Sequence, residues 1–458
     1  MKKLLIALAI LTLTSTAIST YSLVKRYQNQ DIPVIDLNDN TVSDVPVTPT
    51  VTTNSVSTFE LQNYKNQISA LSDTQLQELY VKELNKNVFN NSKLDASLHI
   101  GDFSQEQLPE MSPVFWPRAY TPTVHAFAST TVPTGRRPAE VYYAYGIDKI
   151  KSKGEGQTIA IVIPAGSETL VDDINTYSKY FGLPNANIKF LYPQGVPTVH
   201  NDSWALETTL DATMVHMIAP NATILMVVCN TSAISGLVQG IDAAVASGAK
   251  IISLSWGSVE WSNQFSYSSR LTRPGVIITS ATGDSGYGTS WPSTEAGVVA
   301  VGGTQLVSSG TTGTVVEQVW THSTGGISKY YSIPSWQIKA QTTKFRTVPD
   351  LSINAVGYTI YMSNFNGQKG YINSSGTSAS SPIVAGLIAL GLSTRTTAIP
   401  ADIHPTLYTN SNAYIKDIIG GTIGTGTNAV LGTATSGYDY ATGLGVPNAP
   451  AFVNQINK

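Results

Sequence analysis

Along the last two thirds of the chain, apolar and polar positions fall into blocks that switch between strand and helix periods. Gln157-Thr-Ile-Ala-Ile-Val-Ile163 is a continuous β-branched run, the pattern of a buried strand. Leu170 to Phe181 has helical spacing and stops at Gly182-Leu-Pro. Thr223 to Val228 predicts a second strand, Ile234 to Ala246 a helix closed by Gly248, and Lys250 to Gly257 a third strand. This alternation predicts an α/β fold, a parallel sheet with helices on both faces. About 320 residues are enough for one large core.

Asp202 to Ile218 reads as a further helix, capped by Asp202 or Ser203. Its apolar residues (Trp204, Leu206, Leu210, Met214, Met217, Ile218) leave little room for a solvated face. Yet Glu207 and Asp211 lie four apart on one side of it, a like-charge pair that costs a few tenths of a kcal/mol even in water. An acidic surface stripe is the ordinary reading of such a pair. It fits poorly on a helix this apolar.

The pattern before residue 137 differs. Met1-Lys2-Lys3 precedes a run from Leu4 to Leu13 that is almost wholly apolar, then small residues near Ala17. Residues 1–24 thus have the form of a secretory signal, with a retained membrane anchor as the alternative, although the run is short for a span. Residues 25–58 are rich in Thr, Val, Pro and Asp and read as a linker. Residues 59–136 form a more charged unit, with a helix from Ser72 that places Leu76, Leu79, Tyr80 and Leu84 on one face. Small, polar and basic residues from Ala128 to Arg137 make a candidate processing site.

Charged residues are 12% of the chain, against roughly 25% in an ordinary globular protein. With every carboxyl protonated, the 27 Lys and Arg and 6 His would give a charge of +33, low for 458 residues. That limits the self-repulsion that unfolds proteins in acid. The single cysteine, Cys229, excludes an internal disulfide and sits in an apolar strand as core filler.

Ser375-Gly-Thr-Ser378-Ala-Ser-Ser-Pro382, followed by an apolar run to Leu392, puts a serine hydroxyl where a helix begins. Helix N–H groups favour developing negative charge there. Taken alone, a plain loop fits as well. A serine nucleophile needs a base, yet none of His99, His125, His200, His216, His322 and His404 has the flanking pattern of a subtilisin histidine. The Glu207–Asp211 pair offers carboxylates instead. Asp284 follows a β-branched run in Ser280-Ala-Thr-Gly-Asp-Ser-Gly286, at the expected carboxyl edge of the sheet, where ligands bind. An Asx-turn is the alternative there.

In their order, these motifs resemble the sedolisins, the serine-carboxyl peptidases. They are Glu207-x-x-x-Asp211 before Ala219-Pro-Asn-Ala222, the turn at Asp284, Ala300-Val-Gly-Gly-Thr304, and Gly376-Thr-Ser378-x-x-x-Pro382. The resemblance runs from Arg137 to Lys458. It implies a subtilisin-like fold with Ser378 as nucleophile, Glu207 as general base and acid, Asp211 orienting Glu207, and Asp284 in the oxyanion hole. Three carboxyl groups in those roles imply an enzyme that acts in acid, since a carboxylic acid donates a hydrogen bond only while protonated. Ser255, Trp256 and Gly257 resemble the family's substrate-binding edge, where a peptide adds a strand; a buried strand end is the alternative. Asp417-Ile418 and Thr435-Ser-Gly437-Tyr-Asp439 resemble its site for one calcium ion, although Thr435 stands where the family's pattern has glycine.

The resemblance makes residues 59–136 an inhibitory prosegment and 137–458 the peptidase domain. A secreted, monomeric enzyme acting on polypeptides is expected, with no nucleic-acid partner and membrane contact only through a retained anchor. Cleavage within chains and release of tripeptides both remain open. A subtilisin-like protease using His216 and an inactive peptide-binding protein on the same scaffold are the alternatives.

Overall fold

The computed structural model describes residues 133–458 apart from 310–313 and 425–427. The signal or anchor segment, the linker and the prosegment up to residue 132 lie outside the described residues.

After α1 (Pro138–Tyr145), the chain alternates as β1 (Thr158–Pro164), α2 (Leu170–Phe181), β2 (Asn187–Leu191), α3 (Asp202–Ile218), β3 (Thr223–Cys229), α4 (Ile234–Ala246) and β4 (Ile251–Leu254). The short α5 (Ser268–Leu271) leads to β5 (Ile277–Ala281), β6 (Val298–Ser309) and β7 (Thr314–Val319). Then come β8 (Gly326–Ser332), β9 (Phe345–Val348), β10 (Leu351–Asn354), β11 (Tyr358–Phe365) and β12 (Gln368–Ser374). The rest is α6 (Thr377–Leu392), α7 (His404–Tyr408), β13 (Ile415–Lys416), α8 (Asn428–Leu431), β14 (Val446–Pro447) and α9 (Ala449–Asn457). The expected α/β fold is present, and α2 and α4 have the bounds their periodicity predicts. The third predicted strand is shorter: β4 ends at Leu254, before Ser255, Trp256 and Gly257.

Seven strands form a parallel sheet in the order β10-β6-β5-β4-β1-β3-β2, with β7 antiparallel on β6. Helices on both faces explain why β1 and β3 are unbroken apolar runs. Strands 1 to 3 build outward on one side and 4 to 6 on the other, so the order reverses between β1 and β4. Outside the carboxyl ends at such a reversal lies the crevice where α/β sheets take ligands.

Two helices sit deepest. In α3 every residue from Trp204 to Ile218 is buried. Its cap is Asn201, whose side chain accepts from the Trp204 N–H at 3.0 Å, and not Asp202 or Ser203; Asp202 instead contacts His200 at 2.8 Å. All 16 residues of α6 are buried, and their small side chains let neighbours approach closely. A Cβ added at Gly391 would lie 2.6 Å from Cβ of Ile456 in α9. Cys229 is buried, as expected of a filler.

Candidate active site

Ser378 stands in the first turn of α6, behind a loop that the β11–β12 hairpin delivers to the crevice. A free space of about 210 Å³ opens beside it, bounded by the ends of β4 and β5 and the start of α6. Pro382 shapes this turn. It has no N–H to return to the carbonyl four residues back, which is that of Ser378. The hydroxyl of Ser255, just past β4, stands 3.3 Å from this orphaned carbonyl and donates at 2.7 Å to Oδ1 of Asp211.

Glu207 and Asp211 project from α3 toward the same point, each 0% exposed. Both oxygens of Glu207 and Oδ2 of Asp211 are buried without hydrogen-bond partners. Burial, then the charge of Asp211, raises Glu207 well above the ordinary carboxyl range; Ser378 is near enough to draw it partly back. Burial also raises Asp211, which the Ser255 hydroxyl opposes. Two such carboxyls side by side titrate as a pair that holds its protons tightly. The Ser378–Glu207 approach lacks regular hydrogen-bond geometry, as is common before a substrate aligns a site.

Asp284 lies three residues beyond β5, on the other side of Ser378. Its Oδ1 accepts from both the N–H and the hydroxyl of Thr377 at 2.8 Å, and the Thr377 hydroxyl accepts from Gly283 N–H at 3.0 Å. Thr377 was not singled out from the sequence, although it stands inside the Gly-Thr-Ser motif. It holds the carboxyl of Asp284 at the mouth of the helix. The structure therefore brings Glu207, Asp211, Asp284 and Ser378 into one site.

Ser255, Trp256 and Gly257 line the same space. Ser255 and Trp256 are 1% and 2% exposed, and Trp256 Nε1 donates to the Val162 carbonyl at 2.9 Å. Among the described residues no histidine lines the space; His216 is buried and its Nε2 faces the Pro184 carbonyl at 2.9 Å.

The expected calcium ligands gather at the other end of the chain. Asp417 Oδ2 accepts from Gly437 N–H at 2.8 Å, and Asp439 Oδ2 from Thr435 N–H at 2.9 Å, so both carboxylates close one loop. Ile418 follows directly and is buried. Burial pushes the Asp439 carboxyl up to about 6, and Asp417 Oδ1 is buried without a partner. An orphaned carboxylate oxygen beside a desolvated second carboxylate and a Gly/Thr loop is a donor set that suits a hard cation. No group of three or more His, Cys, Asp or Glu that could hold a metal ion occurs among the described residues, so backbone carbonyls would complete the shell.

The subtilase family model matches residues 198–443. Kumamolisin of Bacillus sp. (strain MN-32) is 29% identical over 367 residues, 70% of this chain and 64% of kumamolisin. Sedolisin of Pseudomonas sp. (strain 101) is 33% identical over 172 residues, 35% of this chain and 29% of sedolisin. The matches thus span less than two thirds of these curated relatives. The solved structure of Pseudomonas sedolisin, a serine-carboxyl proteinase complexed with two molecules of pseudo-iodotyrostatin, superposes with a TM-score of 0.60 at 25% identity, covering 71% of this chain and 98% of that one. This chain belongs to the sedolisin family.

Proposed function

We propose that the protein is a secreted, acid-acting serine-carboxyl endopeptidase made as a proenzyme. The observation that carries this reading is the convergence on Ser378 of a buried carboxyl pair with three unpaired oxygens and, opposite, the Asp284 carboxyl. In the first step Glu207 takes the Ser378 proton as Oγ bonds to the substrate's carbonyl carbon. The carbonyl oxygen becomes an oxyanion, to which protonated Asp284 donates. When the C–N bond breaks, Glu207 returns the proton to the leaving amine and an acyl-enzyme remains. Water then repeats the sequence, giving its proton to Glu207 and its oxygen to the acyl carbon, and Ser378 recovers its hydrogen. Asp211 shares the proton and negative charge of Glu207, which spares the pair full ionisation in a buried site.

Pseudomonas sedolisin is a serine-carboxyl proteinase, which supports a polypeptide substrate here. Asp417 and Asp439, with the carbonyls of Ile418, Thr435 and Gly437, would hold one calcium ion, whose bound charge would neutralise two carboxylates and tie the C-terminal loop. Digestion of a denatured protein across pH 2 to 9, with fragments read by mass spectrometry, tests the function. Internal cleavage peaking in acid supports it; no cleavage at any pH, or an optimum above neutrality, refutes it.

A further inference from the structure

The described chain begins with a segment whose bonding exceeds what its position suggests. Arg136 forms a parallel bridge with Tyr358: its N–H donates to the Gly357 carbonyl at 2.6 Å and its carbonyl accepts from Thr359 N–H at 3.3 Å. Its guanidinium donates to the Val356 carbonyl at 3.1 Å and to that of Leu306 in β6. Asn373 Nδ2 donates to Thr134 Oγ1 at 2.9 Å. Between them, Gly135 is pressed so closely that a Cβ there would stand 2.4 Å from Asn373 Oδ1 and 2.5 Å from the Gly357 carbonyl. No side chain fits.

What this segment grips is the frame of the nucleophile loop. Gly357 N–H donates to Ser375 Oγ at 2.9 Å, and Gly376 N–H to the Ala355 carbonyl at 2.8 Å. Asn354 Nδ2 donates to the Val356 carbonyl at 2.9 Å, and Ser380, two residues past Ser378, donates to the Ile353 carbonyl at 3.1 Å. Residues 353–357 therefore have Arg136 on one side and the turn bearing Ser378 on the other. Hydrogen-bonded frames of this kind fix a reacting group to fractions of an ångström, the precision catalysis needs.

We propose that Thr134–Arg136 is a permanent strap of the peptidase domain, with Arg136 the residue that positions the Ser378 loop, so that any maturation cut falls N-terminal to Thr134. This rests on the proposed function and narrows its candidate processing stretch, because a cut after Arg136 would release the strap.

Intact-mass and N-terminal analysis of the purified active enzyme locates the cut. The expected first residue is Thr134 or earlier; a fully active enzyme that starts at Gly135 or later overturns the proposal. In Arg136→Ala, with Arg136→Gln as a milder second variant, kcat should fall roughly tenfold to a hundredfold with little change in KM. Arg136→Lys should recover part of it. Hydrogen exchange at the Gly357 and Gly376 amides should quicken about tenfold or more relative to amides in α2. A loss of activity that only tracks a lower melting temperature, with unchanged exchange at these amides, would make Arg136 a structural residue and defeat the proposal. If the wild-type protein cleaves nothing, the proposed function fails, and the exchange measurement still decides the strap.

Discussion

The Ser255 hydroxyl donates to Asp211 Oδ1 at 2.7 Å, joining the end of β4 to the helix that carries the candidate base. Ser255→Ala leaves that buried oxygen unpaired, a loss of about 1.5–3 kcal/mol for a bond to a charged group. The bond favours ionised Asp211, so without it the carboxyl pair keeps its proton to higher pH. The acid limb of the kcat profile should move upward, with KM nearly unchanged. A large rise in KM with an unmoved limb would instead make Ser255 a substrate contact.

Ser378→Ala and Glu207→Gln should each lower kcat by roughly four to six orders of magnitude, because the groups act as a unit. Their stabilities should differ. Glu207 has a raised value in the folded state, so its contribution is fully present below its unfolded value and lost as pH rises through the folded one. Glu207→Gln should therefore melt at a higher temperature than wild type at neutral pH and at a similar one in acid. Scanning calorimetry at pH 4 and pH 7 checks this; an equal difference at both pH values would contradict it.

In the proposed mechanism Asp284 donates to the oxyanion, which a carboxyl does only while protonated. Activity should fall as pH rises, and Asp284→Asn, a neutral donor, should extend the alkaline limb even where peak kcat drops. An unshifted limb in the Asn variant would remove Asp284 from this role.

Calcium should stabilise the fold by about 2.7 kcal/mol at a hundredfold excess over its dissociation constant. Asp439 titrates at about 6 without metal, so protons compete with the ion below that pH and the gap between calcium and chelator melting curves should close. Above it, ionised Asp439 is a buried charge that the ion neutralises. Asp439→Ala should erase the chelator's effect. Identical curves at pH 7 in protein shown to be metal-free would exclude the site.

A second buried cluster carries its own pH dependence. Arg346 donates to both oxygens of Asp350 at 2.8 and 2.7 Å. His404, stacked on Trp336 at 4.3 Å, places Nδ1 2.6 Å from Asp402 and Nε2 3.1 Å from the Val298 carbonyl. Acceptors at both ring nitrogens favour imidazolium, and the nearby carboxylates hold His404 above its usual value against the opposing effect of burial. Its contribution is complete below about 6.5 and is lost as pH rises through the folded value. Arg346 holds Asp350 far below the carboxylate range against burial, so that contribution persists into acid and is lost only as pH falls through the lowered value. Melting temperature should decline above neutrality, and His404→Gln should flatten the decline. A variant as pH-sensitive as wild type would refute this.

The parallel sheet, the bounds of α2 and α4, and the burial of the Glu207–Asp211 helix were legible because local periodicity dictates them. What escaped depends on distant partners. Asn201 rather than Asp202 caps α3, since either side chain can accept the same N–H and the choice falls to neighbours such as His200. Thr377 has no signal of its own in the sequence, because its role depends on Asp284, 93 positions away. The strap at Arg136 could not be read at all, because its bonds reach residues 170 to 220 positions away in the chain.

The contact of Gly391 with Ile456 has a consequence for how the molecule is made. The helix that presents Ser378 is clamped at its far end by α9, which leaves the ribosome after every other described element. A nascent chain can therefore complete its sheet while the apolar flank of α6 is still uncovered. That flank closes only when residue 456 has emerged, after every other described element.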